Sequence, residues 1–197
     1  MVIIARDQAD NAQFLYTDEE GRLRVLLTDG TTTAEIDPDL GALKVVDRLH
    51  ALIHAEKHFV CSDIDLAVAI ATPKYWRITA PATSKRIHFD FVVCTSAIST
   101  VELYENPTIT AAGTALAEQN NDRNSLLNAS ATCFKDTTVS SDGTILIDCV
   151  AASGSKGGGE IGSRREFILK QGEDYLVKVT PSANNTITAC TFYWAEI

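Results

Sequence analysis

Residues 85–125 read KRIHFDFVVCTSAISTVELYENPTITAAGTALAEQNNDRNS. The stretch opens on a two-residue alternation, with Ile87, Phe89, Phe91 and Val93 on one face and Arg86, His88 and Asp90 on the other. That is the pattern of a β-strand with one side buried and the other near water. After a short connection Val101 and Leu103 repeat it, with Thr100, Glu102 and Tyr104 outward. The expectation is a two-strand meander. From Asn106-Pro107 the chain turns polar, through Ala112-Gly113 to Asn120-Asn121-Asp122-Arg123-Asn124-Ser125. This predicts a long polar loop reaching about Thr132, with a short helical turn near Leu126-Leu127.

The flanking sequence supplies layers to cover that pair. Phe59-Val60-Cys61 reads as a short strand, and Leu66, Val68, Ile70 and Thr72 alternate with alanines, as in a strand packed on both faces. YWRIT at 75–79 is aromatic and β-branched. Residues 144–150 alternate again, with Ile145, Ile147 and Cys149 expected inward. The segments 166–170 and 175–180 flank a turn at 171–174 and read as a hairpin. Asn184-Asn185 turns the chain into a last strand over 187–195. About eight strands follow residue 57 at sandwich-like spacing. The expected fold is mainly β, an antiparallel β-sandwich of jelly-roll type with one short helix and an N-terminal extended arm.

Residues 1–42 are assigned to the arm and 43–197 to the sandwich. Val2-Ile3-Ile4 and Phe14-Leu15-Tyr16 are short apolar runs, and 22–27 suits a strand, but polar segments separate them. No strand here shows a partner for a core of its own, so the arm is expected to gain order from a neighbour. Asp37 before Pro38 suits a helix N-cap with proline at the first helical position. Leu43, Val46, Leu49, Leu52 and Ile53 recur at helical spacing up to an end near Glu56, with an extended segment as the alternative.

Composition excludes several classes of function. At 197 residues and 45% hydrophobic content the chain suits one medium domain, or a domain plus an arm. A net charge of −9 repels phosphate backbones, so no nucleic-acid partner is expected. No run of 18 apolar residues occurs, so no membrane span is expected. MVIIARDQAD lacks the layout of a signal peptide, which makes the glycosylation patterns at 128–130 and 184–186 chance matches. The five cysteines have no CxxC spacing and give no zinc signal. Cys94, Cys149 and Cys190 lie in apolar strand patterns and read as small buried hydrophobes in a reducing compartment, a disulfide being the lesser alternative.

No motif carries catalysis. In the glycine run 153–159, Lys156 precedes the glycines and a strand follows, the reverse of a phosphate loop. His50, His54 and His58 stand at i, i+4 and i+8, one face of a continuous helix. Only Glu56, out of phase, lies near to support them. An exposed or interface histidine stripe is preferred to a metal site, and His88 stands apart from it. Neither GxSxG nor HExxH is present. No catalytic, cofactor-binding or metal-binding residues are expected. An enzymatic reading rests on the histidines alone and requires a bound metal.

Several segments resemble a group of tailed-bacteriophage virion proteins. They are Val101-Glu102-Leu103-Tyr104-Glu105, Ala112-Gly113-Thr114-Ala115 and Asn120-Asn121-Asp122-Arg123-Asn124-Ser125. Ile53-His54-Ala55-Glu56-Lys57-His58-Phe59, the 153–159 glycine run, Glu166-Phe167-Ile168-Leu169-Lys170 and the aromatic C-terminal strand belong to the same likeness. It covers about residues 50–197, and Glu56 stands where that pattern commonly has glycine. The resemblance implies a non-enzymatic capsid decoration (cement) protein, made in the host cytoplasm and carried on the virion surface. It would bind the major capsid protein as a homo-oligomer, a trimer on a three-fold axis. The expected contact residues are Val2, Ile3, Ile4, Phe14, Leu15 and Tyr16 in the arm, and Asn121, Asp122, Arg123 and Asn124 in the loop. The alternative is a tail, baseplate or head-fibre module for host recognition through carbohydrate.

Overall fold

The structure, a computed structural model, describes residues 2–6, 12–17, 23–26, 48–151, 159–162 and 166–197. The chain divides after Arg48 into two units. The first contains β1 (Val2–Arg6), β2 (Ala12–Thr17) and β3 (Leu23–Leu26), antiparallel in that order. Val2 stands opposite Tyr16, Ile3 opposite Leu15 and Ile4 opposite Phe14, so the apolar runs pair with each other. The expected helix start at Asp37-Pro38 lies outside the described residues, as do Leu43 and Val46.

The second unit opens with α1 (Arg48–His54) and continues into β4 (His58–Val68). The helix stops in a Schellman arrangement. Lys57 N donates to Leu52 O and Glu56 N to Ile53 O, each at 2.9 Å, while Glu56 takes φ 60°. The turn that glycine makes without cost is thus formed here by a glutamate.

The remaining strands follow in chain order. They are β5 (Lys74–Thr79), β6 (Ile87–Thr95), β7 (Ser99–Glu105), β8 (Thr108–Ala111), β9 (Thr114–Ala115) and β10 (Gln119–Asn120). Next come β11 (Thr132–Lys135), β12 (Thr138–Ser141), β13 (Thr144–Ala151), β14 (Gly159–Gly162), β15 (Phe167–Leu169), β16 (Asp174–Pro181) and β17 (Thr186–Glu196). One sheet runs β10-β4-β17-β6, with β14 and β15 both on the free side of β6. The other runs β13-β7-β16-β5-β11-β9, and every pairing is antiparallel.

This order is a jelly roll. From β4 to β7 each strand crosses to the opposite sheet; β7 and β13 pair within one sheet; then β15, β16 and β17 cross again. Two sequence expectations change as a result. The pair β6 and β7 is no meander, and β15 with β16 is no hairpin, because in both cases the members belong to opposite sheets. Alternation reports that a segment is a strand and which face is buried, but not which strand lies beside it.

The core lies between the sheets. Ile87, Phe89, Phe91 and Val93 of β6 face Val101 and Leu103 of β7, all at most 1% exposed. Phe59 stacks on Trp194 at 5.8 Å and Phe89 meets Phe192 edge to face at 5.2 Å. Each fully buried aromatic or aliphatic side chain contributes about 1.5–3 kcal/mol. The inward row of β4 continues past Phe59 and Cys61 into two carboxylates. Asp63 accepts from Lys135 Nζ at 2.7 Å and Trp76 Nε1 at 3.1 Å, and Asp65 pairs with Lys74 at 2.5 Å. Lys74 and Lys135 belong to the other sheet, so ion pairs tie the layers where the apolar core ends.

The expected loop over 106–132 carries three short strands, β8, β9 and β10, and leads into β11; it belongs to an insertion between β7 and β13. β11 pairs with β5 and β10 with β4, so the insertion covers an edge of each sheet. Covered edges remove the unpaired N–H and C=O rows that recruit other chains. The β8–β12 ribbon belongs to the same insertion. Thr137 Oγ1 donates to Ala112 O at 2.8 Å beside Arg77, whose guanidinium lies 4.2 Å from the Phe134 ring centre. Arg77, Tyr104 and Leu176, on the outer face of their sheet, are therefore buried. No helical turn forms at Leu126-Leu127.

Bulges shift the phase of β13 and β4. Ile145 and Ile147 pair with the consecutive residues Tyr104 and Leu103, so they face opposite ways; Ile147 and Cys149 pack on the core while Ile145 is exposed. In β4, Asp65 and Val68 pair with Thr188 and Thr186, one residue more on β4 than on β17. Leu66 lies ahead of the bulge on the outward parity of Ser62 and Ile64, and Ile70 lies in the turn after the strand, so both are exposed, contrary to the two-sided packing expected of that strand. The described cysteines are free thiols, with Cys61, Cys133 and Cys190 buried. Cys149 is half-buried, and Cys94 is exposed because it shares the outward face of β6 with His88 and Asp90.

Candidate interaction surface

The Asn121–Asn124 segment lies at the end of the sandwich where β4 begins and β17 finishes, since Asn120 pairs with Phe59. Its polar groups are engaged within the chain. Asn120 Nδ2 donates to Glu56 O at 2.8 Å, and Asn121 N donates to His58 O at 2.9 Å. Asn121 Nδ2 meets His58 Nδ1 at 2.8 Å. Asp122 Oδ1 accepts from Asn124 N at 3.0 Å, and Arg123 Nη1 donates to Gln119 Oε1 at 2.8 Å. Of the four predicted contact residues, Asn121 ties the loop to the start of β4, while Asp122, Arg123 and Asn124 bond within the loop and its flank; the tie to the helix end is made by the neighbouring Asn120. The six predicted in the arm occupy β1 and β2 of the other unit.

His58 is not part of a helical stripe. It begins β4 and is buried, and burial holds its imidazole below the ordinary pKa of 6.5. His50 and His54 remain on α1.

The same end holds Glu196. Its Oε1 accepts from Ser130 N at 2.6 Å, Ala131 N at 3.1 Å and Trp194 Nε1 at 3.3 Å, while Oε2 pairs with Lys85 Nζ at 2.8 Å. Burial pushes this carboxyl up, but Lys85 and the donors at Ala131 and Ser130 outweigh it and leave it below the usual range. The sequence marks neither the carboxylate nor its donors, of which all but Trp194 are 65 or more residues away.

Apolar side chains stay open to solvent at both ends of the sandwich. Beyond the Asn121–Asn124 segment Leu126 is 94% exposed, beside a concavity of about 290 Å³ lined by Asn120, Arg123, Ser125, Leu127 and Asn128. At the opposite end of the sandwich Leu66 is 65% exposed and Ile64 55%, with Ile70, Ile98 and Ile187 also exposed. Hydrogen bonds hold the loops that carry them together. Ile70 N donates to Asn184 Oδ1 at 2.9 Å, Ser182 N to Ile98 O at 2.9 Å and Ile187 N to Ser96 Oγ at 2.8 Å. The sequence pattern placed Leu66 and Ile70 inside, so this surface was missed. The signal was present in Asp63 and Asp65, whose parity is the inward one.

The described residues contain no group of three or more histidine, cysteine or acidic side chains placed to hold a metal ion. No helix among them is long and apolar enough to cross a membrane. In comparison with known proteins, no family model, no curated protein and no solved structure matches the chain.

Proposed function

We propose that the protein is a non-enzymatic structural component of a tailed-phage virion, a capsid decoration protein that docks on the major capsid protein. The observation that carries the reading is the apolar end formed by Ile64, Leu66, Ile70, Ile98 and Ile187 on a two-sheet scaffold. Grouped exposed aliphatic residues on a rigid scaffold are suited to a permanent protein neighbour. The carboxylates best placed for chemistry, Asp63, Asp65 and Glu196, are each occupied by lysines or backbone donors. Cyclic symmetry, as in a homotrimer, would repeat the apolar end around one axis and multiply its grip on the shell.

The test is direct. In virions purified from the source of this sequence, the chain should be present at a fixed ratio to the major capsid protein. Leu66→Asp together with Ile98→Asp should abolish binding to undecorated capsids while leaving the fold intact by circular dichroism. Absence of the chain from purified virions, or undiminished capsid binding by the double variant, overturns the proposal. Binding to host glycans in place of capsids would establish the host-recognition alternative.

A further inference from the structure

We propose that His50 and His54 form a bidentate site for a late first-row divalent cation, nickel or copper in preference to zinc. The residues lie four apart on α1, hence on one face of the helix. Their Nε2 atoms are 3.0 Å apart, with the rings edge to face and centroids 4.4 Å apart. An imidazole nitrogen binds such a cation at about 2.0–2.1 Å. Two nitrogens at that radius and 3.0 Å apart subtend about 94° at a shared cation, the cis angle of a tetragonal or square-planar shell. Affinity for nitrogen ligands rises along the first row through nickel to copper and falls again at zinc, which favours nickel and copper.

In the metal-free state one Nε2–H donates to the other ring, which holds the two nitrogens side by side; chelation needs only a turn of the rings towards a common point. On binding, the donor ring shifts to its Nδ1–H tautomer, so that both Nε2 lone pairs point at the cation. The described residues hold no cluster of three or more ligands, so the pair itself is the site. The third histidine of the sequence stripe takes no part, because His58 lies in β4 with its Nδ1 against Asn121. The site is independent of capsid docking, since α1 lies at the end of the sandwich away from the apolar surface.

The experiment is a calorimetric titration of the untagged full chain with Ni²⁺, alongside His50→Gln, His54→Gln and Cys94→Ser. The expected result is one Ni²⁺ per chain, with affinity reduced tenfold or more in each histidine variant and unchanged in Cys94→Ser. Cu²⁺ electron paramagnetic resonance should show coupling to two imidazole nitrogens in the wild type and one in either histidine variant. No Ni²⁺ binding in the millimolar range, wild-type affinity in both histidine variants, or loss confined to Cys94→Ser overturns the site.

Discussion

Glu196 and Lys85 form an ion pair whose two halves see different solvent, the lysine side chain being 48% exposed and the carboxylate 2%. The lysine can be rehydrated if the pair is broken, but the donors at Ser130, Ala131 and Trp194 cannot. Glu196→Ala should therefore destabilise the sandwich by about 3–5 kcal/mol, the cost of breaking a buried, hydrogen-bonded ion pair. Glu196→Gln keeps an acceptor and should lose roughly half as much. Urea unfolding of the three proteins measures this, and equal stability of Glu196→Ala and wild type would refute the role given to the carboxylate.

Glu56 offers a test in the opposite direction. A non-glycine residue in the left-handed region costs about 1–2 kcal/mol, and Glu56 sits there at φ 60° to close the helix cap. Its carbonyl, not its side chain, accepts from Asn120. Glu56→Gly keeps that bond and removes the strain, so unfolding free energy should rise by about 1 kcal/mol. A loss of stability would mean that the side chain has a structural role.

Much of the fold was legible because side-chain parity is a local property. Phe89, Phe91, Val101 and Leu103 declare their buried face without reference to any other strand. What parity cannot carry is pairing between distant segments, which is why β6 with β7 and β15 with β16 read as hairpins. It also fails at bulges, where a single added residue turns Val68 inward and Ile145 outward. The insertion read as loop because its strands are short and polar, and their register comes from the edges of β4 and β5. The loop asparagines stood out as part of a long polar segment. Their partners proved to be Glu56 and His58 of the same chain.

Two glycines separate the effect of backbone angle from that of space. Gly113 has φ 84°, and a Cβ there would meet Lys135 O at 2.1 Å and Asp136 C at 2.8 Å. Gly172 has φ 77°, but its nearest neighbour would be Ala82 Cβ at 3.5 Å, an ordinary contact. Gly172→Ala should cost about 1 kcal/mol, the conformational part alone. Gly113→Ala adds a clash with backbone that cannot move aside without parting β9 from β11, and should cost about 3 kcal/mol or more. Denaturant midpoints of the two variants give the comparison, and equal losses would show that the close approach is not constraining.

The dependence of stability on pH should descend in two steps, and His58 sets the upper one. Burial lowers its folded-state pKa below 6.5, so as pH falls through 6.5 the unfolded chain takes up a proton that the native chain refuses. Stability is then lost until the folded-state value is passed. A protonated His58 would also turn an N–H towards the Asn121 amide at 2.8 Å, where the neutral ring can accept. The lower step comes from carboxylates held below their ordinary values. These are Glu105, through its bond from Lys170; Asp65, through Lys74; and Glu196, through Lys85 and its backbone donors against the opposing effect of burial. Each stabilises the native state above its unfolded pKa, near 4.5 for the glutamates and 3.8 for Asp65, and the contribution disappears as pH falls through the lower native value. Urea midpoints measured from neutrality downward should thus be level, decline below 6.5 and fall more steeply below 4.5. His58→Gln, which cannot titrate, should flatten the first decline and leave the second. A wild-type midpoint that rises on acidification between 6.5 and 4.5 has the wrong sign for a buried neutral histidine, and would remove His58 from this role.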